Sequence, residues 1–106
     1  MTETGAAVIS PTGRMTMVTA PVLREAIHAL VNEGSARVVI DLAGVEYIDS
    51  SGLGALISGL RAARQAGGDL RIVAPNRQVQ SVLQSTSLDR VLSSYESAEA
   101  AFSDRP

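Results

Sequence analysis

Residues 38–54 read Val38-Val39-Ile40-Asp41-Leu42-Ala43-Gly44-Val45-Glu46-Tyr47-Ile48-Asp49-Ser50-Ser51-Gly52-Leu53-Gly54. The β-branched run at its start has no apolar/polar alternation. That pattern predicts a strand from Arg37 to Leu42 covered on both faces, as in parallel sheets. Ala43 to Ile48 leads onward to Asp49. From Ser50 to Ala66 the period changes. Leu53, Leu56, Ile57 and Leu60 recur at helical spacing and form one apolar stripe, and Gly67-Gly68 stops it. A strand therefore hands over to a helix at Asp49-Ser50-Ser51-Gly52-Leu53-Gly54.

The flanks extend the pattern. Ala6 to Ser10 reads as a short strand, Pro11-Thr12-Gly13 as turn chemistry, and Arg14 to Met17 as a returning strand, making a hairpin. Thr19 is placed to cap a helix with Pro21 in its first turn. Leu23, Ile27, Leu30 and Val31 form its buried face, and Gly34 ends it. Downstream, Asp69 to Val73 reads as a strand. Pro75 and Asn76 open a short helix bearing Val79, Val82 and Leu83. Val91 to Tyr95 reads as an edge strand, and Ser97 caps a final helix with Ala98, Ala101 and Phe102. The order β-β-α-β-α-β-α-β-α predicts a single α/β domain over residues 1–106, with residues 1–4 and 103–106 frayed. About five strands form a mixed, mostly parallel sheet beside about four helices. The mixture comes from the hairpin. In such sheets functional groups gather where strand ends meet helix starts, which is where Asp49 to Gly54 lie.

Composition narrows the function classes. Nine basic and eleven acidic residues leave a net charge of −2 without a basic stripe, so a nucleic-acid footprint is missing. With no cysteine there are no disulfides and no thiolate metal sites. The N-terminal residues lack a basic n-region and an apolar h-region. No apolar run approaches the roughly 20 residues of a membrane span. The chain reads as soluble and cytoplasmic.

The hexapeptide itself admits four readings. Asp and Ser are preferred N-caps, and glycines permit close backbone approach. A nucleophilic serine would need a base. His28 is the only histidine, it falls on the polar face of the first helix, and the glycine spacing is not that of a nucleophile elbow. A phosphate cradle would exploit free helix N–H groups, but the chain has no lysine and no G-x-x-x-x-G-K-[ST] pattern. A modified serine is the fourth reading. A phosphate adds about −1.5 to −2 charges, which a helix N-terminus tolerates and a packed partner does not.

The 38–54 stretch resembles the signature of the STAS domain in its bacterial anti-sigma-factor antagonist branch. Gly13 to Glu25 is similar to the family's entry into its first helix, and Leu88-Asp89-Arg90-Val91 to the approach to its last strand. The resemblance implies a non-enzymatic regulator with no catalytic residue, metal or cofactor of its own. Its implied partner is an anti-sigma factor that is also a serine kinase; binding it frees a sigma factor. The resemblance makes Ser51 the phosphorylated serine, with a PP2C-type phosphatase reversing the reaction. It places partner binding at Asp49, Ser50, Ser51, Gly52, Leu53, Thr16, Met17 and Thr19. No nucleic acid and no membrane insertion are expected, and the chain is expected to be a monomer or weak dimer.

One departure stands out. Many phosphorylatable members carry an Asp in a Gly-x-Leu-Asp pattern where this chain has Gly13-Arg14-Met15-Thr16, so Thr16 replaces the acid. The fold alone does not fix function. Rival readings are a scaffold in a stress-signalling assembly, an accessory subunit of a membrane transporter, and a nucleotide-binding module.

Overall fold

The computed structural model describes residues 5–102; the frayed ends expected at 1–4 and 103–106 lie outside the described residues. Six strands and four α-helices follow in order: β1 Ala7–Ile9, β2 Gly13–Met15, α1 Ala20–Asn32, β3 Arg37–Asp41, β4 Val45–Ile48, α2 Ser50–Gln65, β5 Asp69–Val73, α3 Arg77–Ser85, β6 Ser94–Tyr95 and α4 Ala98–Ala101. A 3-10 turn, Leu88–Arg90, joins α3 to β6.

β3 is central. Val38, Val39 and Ile40 are all fully buried, because successive side chains point to opposite faces and both faces are covered. Val38 and Ile40 join Ile27, Leu56, Leu60, Leu70 and Ile72 in the main core beneath α1 and α2. Val39 joins Ala6, Val73, Ala101 and Phe102 in a smaller core on the other face, closed by α4. Against α1, α2 approaches closely at Gly59: a Cβ there would lie 2.7 Å from Ile27 Cγ2.

The strand order is β1-β3-β5-β6, with β2-β4 as a separate pair. All four pairings are parallel. The expected hairpin of β1 and β2 is therefore corrected: β1 pairs with β3, and β2 pairs with β4. The physical reason lies in the Pro11-Thr12-Gly13 connection, which runs alongside the next connection instead of reversing the chain. The Gly13 N–H donates to the Gly44 carbonyl at 2.9 Å. Gly13 sits at φ +80, a conformation that favours glycine.

β4 was not foreseen. Its four residues follow the Ala43-Gly44 break, too short a run for a periodic signal. The last edge strand is also shorter than the expected Val91–Tyr95. Leu92 is buried to 1 % exposure and plugs the main core, so only Ser94 and Tyr95 pair with β5.

The helix punctuation agrees with local chemistry. Asn76 Oδ1 accepts the Val79 N–H at 2.9 Å, and Ser97 Oγ accepts the Ala100 N–H at 3.1 Å. Gly34 closes α1 at φ +98 while its N–H donates to Val31. Thr19 holds the expected N-cap position of α1 but caps no helix amide. Its hydroxyl instead donates to the Arg14 carbonyl at 2.8 Å and accepts the Thr16 N–H at 2.9 Å. It thus staples the 14–19 loop.

Candidate functional site

The site is assembled where β2 and β4 end side by side. Asp49 is the N-cap of α2. Its Oδ1 accepts the Ser51 N–H at 2.8 Å and the Gly52 N–H at 3.1 Å, satisfying two of the orphan donors of the first turn. The Asp49 N–H donates back to the Met15 carbonyl at 3.2 Å. Gly52 is wedged against that same carbonyl: a Cβ would lie 2.6 Å from Met15 O and 2.6 Å from Ile48 Cγ1. The glycine is therefore required by close packing of the helix start on β2. This contact brings Thr16, which follows Met15, to the start of α2.

Two amide side chains that the sequence did not single out for this role hold β4 from its other side. Gln78 accepts the Ile48 N–H at 3.0 Å and donates its own N–H to the Ile48 carbonyl at 3.1 Å. Asn76 Nδ2 donates to the carbonyls of Val45 and Glu46, each at 3.1 Å. Asn76 was legible only as a cap, and nothing in the local pattern marks Gln78. Ile48 immediately precedes Asp49, so these bonds fix where the cap and its helix begin.

The expected site residues divide into two groups. Asp49, Ser50, Ser51, Thr16, Met17 and Thr19 share one end of the molecule. Ser50 and Thr19 are exposed there, and Ser51 and Thr16 are partly so. Among the described residues the Ser51 hydroxyl forms no hydrogen bond, while its backbone N–H is held by Asp49. Gly52 is buried and Leu53 is 5 % exposed within the main core. Leu53 therefore anchors the helix from below, and its side chain offers no surface. Met17 is 75 % exposed and Val18, absent from the expected set, 82 % exposed. Val22, on the first turns of α1, is 70 % exposed beside an apolar groove floored by Ile9, Pro11 and Met15. Arg14 stacks over the Tyr47 ring at 4.4 Å, which holds its charge near the same loop.

The one histidine of the chain does not reach Ser51. His28 lies against Ser58, with Nε2 and Oγ 3.0 Å apart. From Ser51 to Ser58 is two turns of α2, about 10 Å along the axis. No group of three or more metal-ligating side chains occurs among the described residues, and no helix there is long and apolar enough to cross a membrane. What remains is a hydroxyl at an open helix N-terminus, flanked by exposed apolar side chains.

The family described as Mlab, STAS domain, matches residues 2–93. The chain belongs to the STAS domain family. Among its relatives, the Staphylococcus epidermidis protein named anti-sigma-B factor antagonist is 30 % identical over 87 residues, covering 82 % of this chain and 81 % of that one. A Thermotoga neapolitana relative, whose name places it with the anti-sigma factor antagonists, is 34 % identical over 74 residues. That match covers 70 % of this chain and 66 % of the relative, just under two thirds of its length. A crystal structure of an anti-sigma factor antagonist from Mycobacterium paratuberculosis superposes with a TM-score of 0.82 at 32 % identity, over 94 % of this chain and 85 % of that one. The STAS fold is thus shared across nearly the whole chain, including the junction that carries Asp49 to Gly54.

Proposed function

We propose that this STAS domain is an anti-sigma-factor antagonist whose docking surface is the bare Ser51 helix start. It binds an anti-sigma factor that is also a serine kinase, and so releases a sigma factor. Phosphorylation of Ser51 ends the binding, and a PP2C-type phosphatase restores it. The observation that carries the reading is the Ser51 hydroxyl, without a hydrogen bond among the described residues at the mouth of α2, beside the exposed Met17 and Val18. A phosphate there meets the positive end of the helix dipole, so the domain tolerates it. A partner packed over Ser51 and Met17 would have to desolvate that phosphate, which costs kilocalories unless basic groups pair with it. Thr16 leaves the loop without the carboxylate usual in phosphorylatable members, while Arg14 adds a cation beside it.

The test is intact-mass spectrometry after incubation with ATP and the candidate anti-sigma kinases. A single phosphate mapped to Ser51 is expected. Ser51→Asp should lose kinase binding, while Ser51→Ala should bind and resist inactivation. Wild-type affinity in the Ser51→Asp protein would remove the switch from this account.

A further inference from the structure

One groove is not used by the helix-start docking surface. It runs between α1 and α2, lined by Arg24 and His28 on one side and by Gly54, Ser58, Arg61 and Gln65 on the other. Ser51 lies on the same stripe of α2, one turn before Gly54, so the groove opens at the proposed phosphorylation site. Its electrostatics are one-sided. No acidic residue lines it, and α2 carries none between Ser50 and Gln65. The one acid of α1, Glu25, is not among the lining residues. Arg24 and Arg61 form no ion pair among the described residues. By contrast, Arg64 and Arg71 share Asp69 at 3.0 and 3.1 Å. Gly54 has open space where a side chain would stand, which leaves the upper groove unobstructed.

We propose that this α1–α2 groove takes an acidic segment of the protein partner, its carboxylates pairing with Arg24 and Arg61 while the partner covers Ser51 and Met17. The proposal rests on the antagonist reading for the class of partner, and on the groove alone for its chemistry. Complementary charge of this kind steers encounter and sets partner choice. It predicts a partner that is acidic where it lies along α1 and α2. A basic segment would be rejected by Arg24 and Arg61.

The probe is a synthetic amphipathic peptide of glutamate and leucine, titrated into the isotope-labelled full chain and followed by amide chemical shifts. A lysine–leucine peptide and inorganic phosphate serve as comparisons. Shifts centred on Arg24, Gly54, Ser58 and Arg61, absent with the lysine peptide, are expected. Arg24→Ala with Arg61→Ala should weaken binding roughly fivefold, as the loss of two exposed charge pairs dictates. Should that double variant misfold, added salt must weaken wild-type binding instead. Scattered shifts, equal binding of the lysine peptide, or unchanged affinity in the double variant would overturn the proposal. So would phosphate alone reproducing the shifts, which would make the groove a small-anion site. The titration uses the unphosphorylated chain and the peptide alone, with neither kinase nor ATP. Failure of Ser51 phosphorylation therefore leaves this result standing, and failure of the titration leaves the switch standing.

Discussion

Replacing Gly52 with alanine adds one methyl group at the tightest point between α2 and β2. That carbon would stand 2.6 Å from both the Met15 carbonyl oxygen and Ile48 Cγ1, and 2.9 Å from Met15 Cγ. Ordinary carbon contacts are about 3.5–4.0 Å, so the helix start must retreat by roughly 1 Å. One of the obstacles is backbone, held by the Asp49 N–H bond to the same carbonyl, and cannot swing aside like a side-chain end. Overpacking of this kind costs about 1–3 kcal/mol. Against it stands the better helix propensity of alanine, up to about 1 kcal/mol. The net expectation is a loss of about 1–2 kcal/mol, equivalent to roughly 5–15 °C in melting temperature for a domain of this size. Gly54 supplies the control. It lies two positions along the same helix with nothing within 4 Å of its would-be Cβ, so Gly54→Ala should gain up to about 1 kcal/mol. Urea titrations followed by far-ultraviolet circular dichroism measure both. If Gly52→Ala matched or exceeded wild type, or if Gly54→Ala fell as far as Gly52→Ala, the close-packing account of the helix start would be wrong.

Gln78→Ala should remove both bonds to the Ile48 backbone and leave that strand unsatisfied, costing about 1–3 kcal/mol. Hydrogen exchange at the Ile48 amide should accelerate well beyond that at Ile40, whose strand is paired on both sides. Asp49→Ala should lose the cap on the Ser51 and Gly52 amides, about 0.5–2 kcal/mol, with Asp49→Asn recovering most of it. Chemical denaturation of the two variants side by side checks the order.

What could be read from the sequence was local. The Val38-Val39-Ile40 run announced a strand buried on both faces, and the structure places its side chains in two separate cores. Asn76, Ser97 and Gly34 announced helix ends because capping involves residues only a few positions apart. Pairing partners were not local. Ala6 to Ser10 and Arg14 to Met17 carry no mark that says whether they meet each other or strands some 30 residues on, and proximity favoured the wrong answer. Leu53 shows the limit within the site. Its place in the apolar stripe of α2 already argued for burial, yet its place in the signature drew it into the docking set; the core holds it. Gln78 was invisible because an exposed-looking amide in a short helix says nothing about a strand far upstream. Val18 lay in the loop expected to border Ser51 but was left out of the partner-binding set that took Met17 and Thr19, since exposure is a property of the packed molecule.

The bonds from Gln78 and Asn76 have a consequence for association. A strand with one open side is a template on which another chain can lay its own backbone. At Ile48 the amide of Gln78 offers one acceptor and one donor, matching what a neighbouring strand would supply. Asn76 occupies the carbonyls of Val45 and Glu46 just above. A second copy of the chain, or an extended peptide, finds that margin already taken. Whatever docks against β4 must then read side chains and surface shape, and cannot join by adding a strand to that margin.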